Sequence, residues 1–217
     1  MIKFLVTCLI LSLFSGCAGY RFQSKFNPFA QYGIKSISVP MFYNKSNFAD
    51  VSGPFTKEIY KTLLEFKNLK LSTTPERADA VLIGIVESRA KRKESIVVRN
   101  RKRAEAVFGS DSLGEDRQDF IVPSVNQIGL RLRVVVIKHP TPTEIKFFQT
   151  QFSKSVLSSK VIFNETFDLS RSYNLKELRD EGIAVLGSQN RGVEKQQIQW
   201  MAEGAAQSFK DMILYAF

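Results

Sequence analysis

The chain has 217 residues, with 31 Lys and Arg against 21 Asp and Glu, a net charge of +10. A hydrophobic share of 44% and a charged share of 24% are globular values and exclude a disordered chain. Two cysteines, Cys8 and Cys17, and a single histidine, His139, exclude a disulfide framework, a zinc cluster and a multi-histidine metal site.

The N-terminus carries Lys3, an apolar run from Phe4 to Phe14, and the small residues Ser15 and Gly16 before Cys17. This is the pattern of a secretory signal. Small residues directly before a cysteine admit a lipoprotein signal peptidase, and Cys17 would then carry thioether-linked acyl chains. The run is too short for a bilayer-spanning helix, which needs about 20 residues. Each buried CH₂ is worth about 0.8 kcal/mol, so more than one chain makes a stable anchor. The expected organisation is a signal peptide over 1–16, a lipid-anchored tether over 17–33, and one domain over 34–217. Export also changes what the charge means. In a cytosolic chain it would point to nucleic acid; here it points to membrane surfaces, phosphate-bearing lipid head groups and acidic protein faces.

Ile34 to Phe42 alternates and predicts a half-buried strand, with Pro40 near its end or on an edge, followed by a loop at Asn44 to Asn47. Phe55, Ile59, Leu63 and Phe66 recur at helical spacing and predict an amphipathic helix over 54–67, with Lys57, Glu58, Lys61 and Glu65 on its surface. Asn68 to Ser72 reads as an edge strand. Ala80 to Val86 is apolar on both faces, as a strand covered on both sides would be. The stretch 89–124 holds a basic block and then an acidic piece, and reads as a long hairpin extension or a mobile loop. In Val125 to Lys138, Leu130, Leu132, Val134 and Val136 form one strand face; Arg131, Arg133, Val135 and Ile137 form the other. His139-Pro140-Thr141-Pro142 is a rigid polar turn, and its histidine reads as a solvated loop residue. Ile145 to Phe152 and Val161 to Phe167 read as two further strands. The stretch 170–190 reads as irregular, with a helical turn at Leu175 to Ile183. A long helix over 193–215 has Ile198, Met201, Ala205, Phe209 and Met212 as its inner stripe. Strands clustered between two helices predict an α+β fold: a two-layer sandwich, with a mostly antiparallel or mixed sheet of about four to six strands and two helices packed on one face.

The run from Cys17 to Phe22 resembles the C-G-Y-x-F start of the mature LPS-assembly lipoprotein family, LptE (also called RlpB). Gly33 to Ser46 is similar to that family's first strand and loop, Glu76 to Val86 to its next long strand, and Val161 to Tyr173 to its last strand. Ala18 is an insertion after the cysteine, and 89–103 and 145–160 look longer than the family's loops. The resemblance implies a lipoprotein at the periplasmic face of the outer membrane. It would plug and help assemble a large LptD-like outer-membrane β-barrel and bind lipopolysaccharide, with no enzymatic step, cofactor or metal. The other reading is a periplasmic lipid-carrier or adaptor lipoprotein with no barrel partner. A hydrolase built on His139 would be a third.

Lipid A phosphates suit Arg and Lys through charge-assisted hydrogen bonds. Candidate contacts are Arg131 and Arg133 on one strand face, and Arg89, Lys91, Arg92 and Lys93 leaving another. If those strands are neighbours, the two sets form one patch. The basic block can equally face acidic groups of the barrel, or only solvent.

Overall fold

A computed structural model describes residues 26–98, 120–150, 159–174 and 182–216, and the side chains within them except those of 90–98, 120–124 and 182–187. Among the described residues, six strands form one mixed sheet with three α-helices: β1 (Ser36–Ser38), β2 (Tyr43–Lys45), α1 (Ser52–Leu64), β3 (Lys70–Ser72), β4 (Ala80–Val98), β5 (Phe120–Lys138), α2 (Pro142–Thr150), β6 (Val161–Asn174) and α3 (Gly182–Ala216). The strand order is β3-β1-β4-β5-β6, with β2 also on β4. The α+β class is as the sequence predicts.

The expected strand over 34–42 is split in two. β1 pairs in parallel with β3 and with the start of β4, and β2 resumes further along β4, where Tyr43 to Lys45 lie opposite Ile85 to Glu87. Pro40 stands in the gap; it has no N–H to give a ladder. β2 therefore occupies part of the stretch expected to be a loop. Asp79 holds β1 in place from the residue before β4. Its carboxylate accepts hydrogen bonds from the backbone N–H groups of Lys35 and Ser36 (2.9 and 2.8 Å) and from the Ser36 hydroxyl (2.9 Å). The bond from the Lys35 backbone, then that from the Ser36 hydroxyl, hold its pKa below the usual aspartate value.

β4 and β5 form one long antiparallel hairpin, from Ala80 opposite Lys138 to Val98 opposite Phe120, with bulges between Ser88 and Ala90 and between Glu94 and Ser95. Of the two readings of 89–124, the hairpin extension holds for the described backbone; 99–119 lies outside it. β6 pairs antiparallel with β5 and runs on to Asn174, past the Phe167 end that the sequence suggests.

The helices take their places from two-sided burial of β4 and β5. Leu82, Val86, Leu130, Leu132, Val134 and Val136 join the main core with α1 and α3. Val81, Ile83, Ile85, Val135 and Ile137 point to the other face and form a second cluster. That face is covered by α2, through Ile145, Phe147 and Phe148. Ile145 to Phe152, expected as a strand, is therefore a helix as far as Thr150, and it adds a partial third layer to the two-layer sandwich. A capping box starts it. The Thr141 hydroxyl accepts from the Glu144 N–H (3.2 Å), and Glu144 accepts from the Thr141 N–H (2.7 Å). Pro142 sits in the first turn, where a missing N–H costs nothing.

α1 and α3 run parallel. Glu65 meets Lys210 at 2.6 Å, and Glu58 accepts from Gln199 at 3.0 Å. Glu58 is buried, against the expectation of a surface position. Burial pushes its pKa up, but hydrogen bonds from Lys61 and Gln199 outweigh this, and the net shift is downward. α3 begins at Gly182, earlier than the sequence stripe indicates. Tyr173 ties β6 to it: its hydroxyl accepts from Asn126 and donates to Glu194, each at 3.1 Å. Burial foremost raises the pKa of this phenol. Among the described residues, no helix is long and apolar enough to cross a membrane.

Candidate functional site

The outer face of β4, β5 and β6 changes character where α2 ends. Beneath α2 it is apolar; beyond it the register sets rows of polar residues side by side. Ile85, Arg133 and Thr166 form one row, and Glu87, Arg131 and Asp168 the next. All of these but the buried Ile85 line a groove of about 600 Å³, with Asn164 and Glu165. The strand alternation expected over 130–137 holds, so Arg131 and Arg133 lie opposite the main core.

Asp168 is the centre of the groove. It accepts from Arg131 Nε at 2.9 Å and pairs with Arg89 at 3.2 Å. Arg89 stands at the bulge beside Ser88, which brings it to the same carboxylate as Arg131. The hydrogen bond to Asp168, then its charge, raise the pKa of Arg131. Arg133 is only 9% exposed and donates from Nε to Asn164 at 2.9 Å. Burial lowers its pKa, and the charge of Glu87 opposes this.

The structure thus brings three of the six sequence candidates together: Arg89, Arg131 and Arg133. Lys91, Arg92 and Lys93 stand in β4 opposite Ile128, Gln127 and Asn126; their side chains lie outside the described residues. Cys17 also lies outside them. Sequence reading missed Asp168, Glu87 and Asn164. Nothing local in 164–168 shows that Asp168 meets two arginines from other strands.

The groove is a balanced site, not a bare cationic patch. Three guanidinium groups stand among Glu87, Glu165 and Asp168. Arginine forks offer bidentate bonding to phosphate or carboxylate, and the acids and amides offer acceptors to sugar hydroxyls. His139 is an exposed turn residue with φ of 41°, and its backbone N–H donates to the Asp79 carbonyl at 2.8 Å. Among the described residues, no three His, Cys, Asp or Glu side chains gather as metal ligands.

No family model matches the chain, and no curated protein matches it. Solved structures that resemble it include bacterial lipoproteins. A putative lipoprotein from Caulobacter crescentus is 9% identical over 80% of this chain and 88% of its own, with a TM-score of 0.38. An uncharacterized lipoprotein B from Nitrosomonas europaea is 9% identical over 88% and 86%, with a TM-score of 0.37. The rare lipoprotein B from Shewanella oneidensis is 12% identical over 83% and 92%, with a TM-score of 0.35. Likeness at this level carries no functional inference.

Proposed function

We propose that this protein is an outer-membrane lipoprotein of the lipopolysaccharide transport and assembly machinery. It is anchored through Cys17, plugs and assists an LptD-like β-barrel, and handles lipopolysaccharide through the outer sheet face. The observation that carries this reading is the arginine and carboxylate groove on β4, β5 and β6, in a chain whose N-terminus has an acylation signal. Lipid A phosphates and acidic sugars are ligands for such a site, and a polar sheet face suits the polar interior of a large barrel. Arg89, Arg131 and Arg133 are the contacts to test first, then Lys91, Arg92 and Lys93.

A detergent pull-down tests the barrel. The chain, tagged after Phe217, should bring down a large outer-membrane β-barrel in near-equal amount, identified by mass spectrometry. A clean lipoprotein without a barrel would overturn the plug and leave the carrier or adaptor reading.

The groove's charge balance makes a separate prediction. Arg131→Ala should weaken binding to purified lipopolysaccharide at low salt by a factor of about 5, the worth of about 1 kcal/mol. Asp168→Asn, which releases two arginines, should strengthen it by a similar factor. Both effects should shrink as salt rises, since exposed charges are screened beyond about 10 Å at 0.1 M. Unchanged affinity in both variants would remove the groove from ligand contact.

A further inference from the structure

One end of the domain combines exposed aromatic rings with exposed lysines. Phe26, the first described residue, bridges to Lys67 and is 65% exposed. Beside it lies a largely apolar hollow of about 520 Å³, lined by Phe26, Ala30 and Ile34 and rimmed by Lys35 and Lys70. Lys35, Lys67 and Lys70 are exposed and have no ion pair among the described residues. The nearby carboxylates are engaged: Glu65 with Lys210, and Asp79 with the N–H groups of β1. Gly33, at φ 73°, turns the chain from this hollow into β1. Because α1 and α3 run parallel, their last turns end on this side too, with exposed Leu64 and Tyr215. The hairpin tip at Val98 and Phe120 is at the far end, about 60 Å along β4 at 3.3 Å per residue.

We propose that this end contacts an anionic bilayer surface, with Phe26 entering the head-group layer and Lys35, Lys67 and Lys70 pairing with lipid phosphates. The proposal rests on the reading of Cys17 as the anchor. Phe26 follows Cys17 by nine residues, which span at most about 32 Å, so the anchor holds this end within reach of the membrane. Aromatic rings favour the bilayer interface, and basic residues are drawn to anionic lipid. A tethered surface of this kind gains from both at high effective concentration.

The test uses the full acylated protein, purified from membranes and reconstituted in vesicles of phosphatidylglycerol and phosphatidylcholine with brominated acyl chains. Trp200 is the chain's one tryptophan, about 22 Å along α3 from Tyr215, and serves as the distant reference. In a Phe26→Trp, Trp200→Phe chain, bromine should quench the indole at least about twofold more than it quenches Trp200 in the parent. Replacing Lys35, Lys67 and Lys70 by Glu should abolish that difference. Equal quenching at the two positions, on protein whose mass shows the acyl chains, would overturn the docking surface. A mass without acyl chains would overturn the anchor reading, and this one with it; the mass alone distinguishes the two failures.

Discussion

Phe209→Ala should destabilise the domain by about 3–5 kcal/mol, the range for emptying a fully buried aromatic site. Phe209 has no exposed surface and sits on the inner stripe of α3. Its ring meets Phe163 of β6 edge-on, with centroids 5.5 Å apart at 88°. The cavity would open where α3, β6 and the central strands meet. Ala202, Ala205 and Ala206 are short and buried, and let α3 lie close to the core. A whole domain has about 5–15 kcal/mol in hand, so this one change consumes a large part of it. Urea unfolding followed by circular dichroism would measure the loss. A cost under about 1 kcal/mol would mean that α3 does not pack here as described.

Gly84→Val should cost about 3 kcal/mol, the upper part of the range for overpacking a tight core. Gly84 is the fifth residue of β4, opposite Val134, and a Cβ there would overlap the ring of Phe42. Phe42 is buried, and its N–H donates to Thr56 at 3.0 Å, so the ring has little room to move. It also leads directly into β2, whose pairing with Ile85 to Glu87 abuts the groove. The cause can be isolated. In a Phe42→Ala background the same Gly84→Val change should cost about 1 kcal/mol or less, since the clash is gone. Equal costs in the two backgrounds would show that the glycine serves something other than the ring.

Much of the fold is legible in the sequence because each clear element carries its own periodicity. Phe55, Ile59 and Leu63 mark α1 by helical spacing, and the alternation from Leu130 to Ile137 separates the two faces of β5 before any partner is known. The two-sided apolar run at Ala80 to Val86 indicates cover on both faces, and the second cluster supplies it. The helix α2 was also legible, in the capping box Thr141-Pro142-Thr143-Glu144, but its short apolar run suits strand and helix alike. The alternation of 34–42 conceals its split, because Pro40 interrupts hydrogen bonding without disturbing side-chain pattern.

The candidate site was legible only by parts. Arg131 and Arg133 can be placed on a strand face from the sequence. That Arg89 joins Arg131 depends on a bulge after Ser88, and that both meet Asp168 depends on pairing between residues 37 positions apart. Likewise, buried Glu58 depends on Gln199, 141 positions away on α3. Local pattern determines which residues seek burial and which face of an element they share. Register and helix packing decide which charges meet, because an ion pair needs two groups within about 4 Å, and only the closed tertiary structure sets that distance.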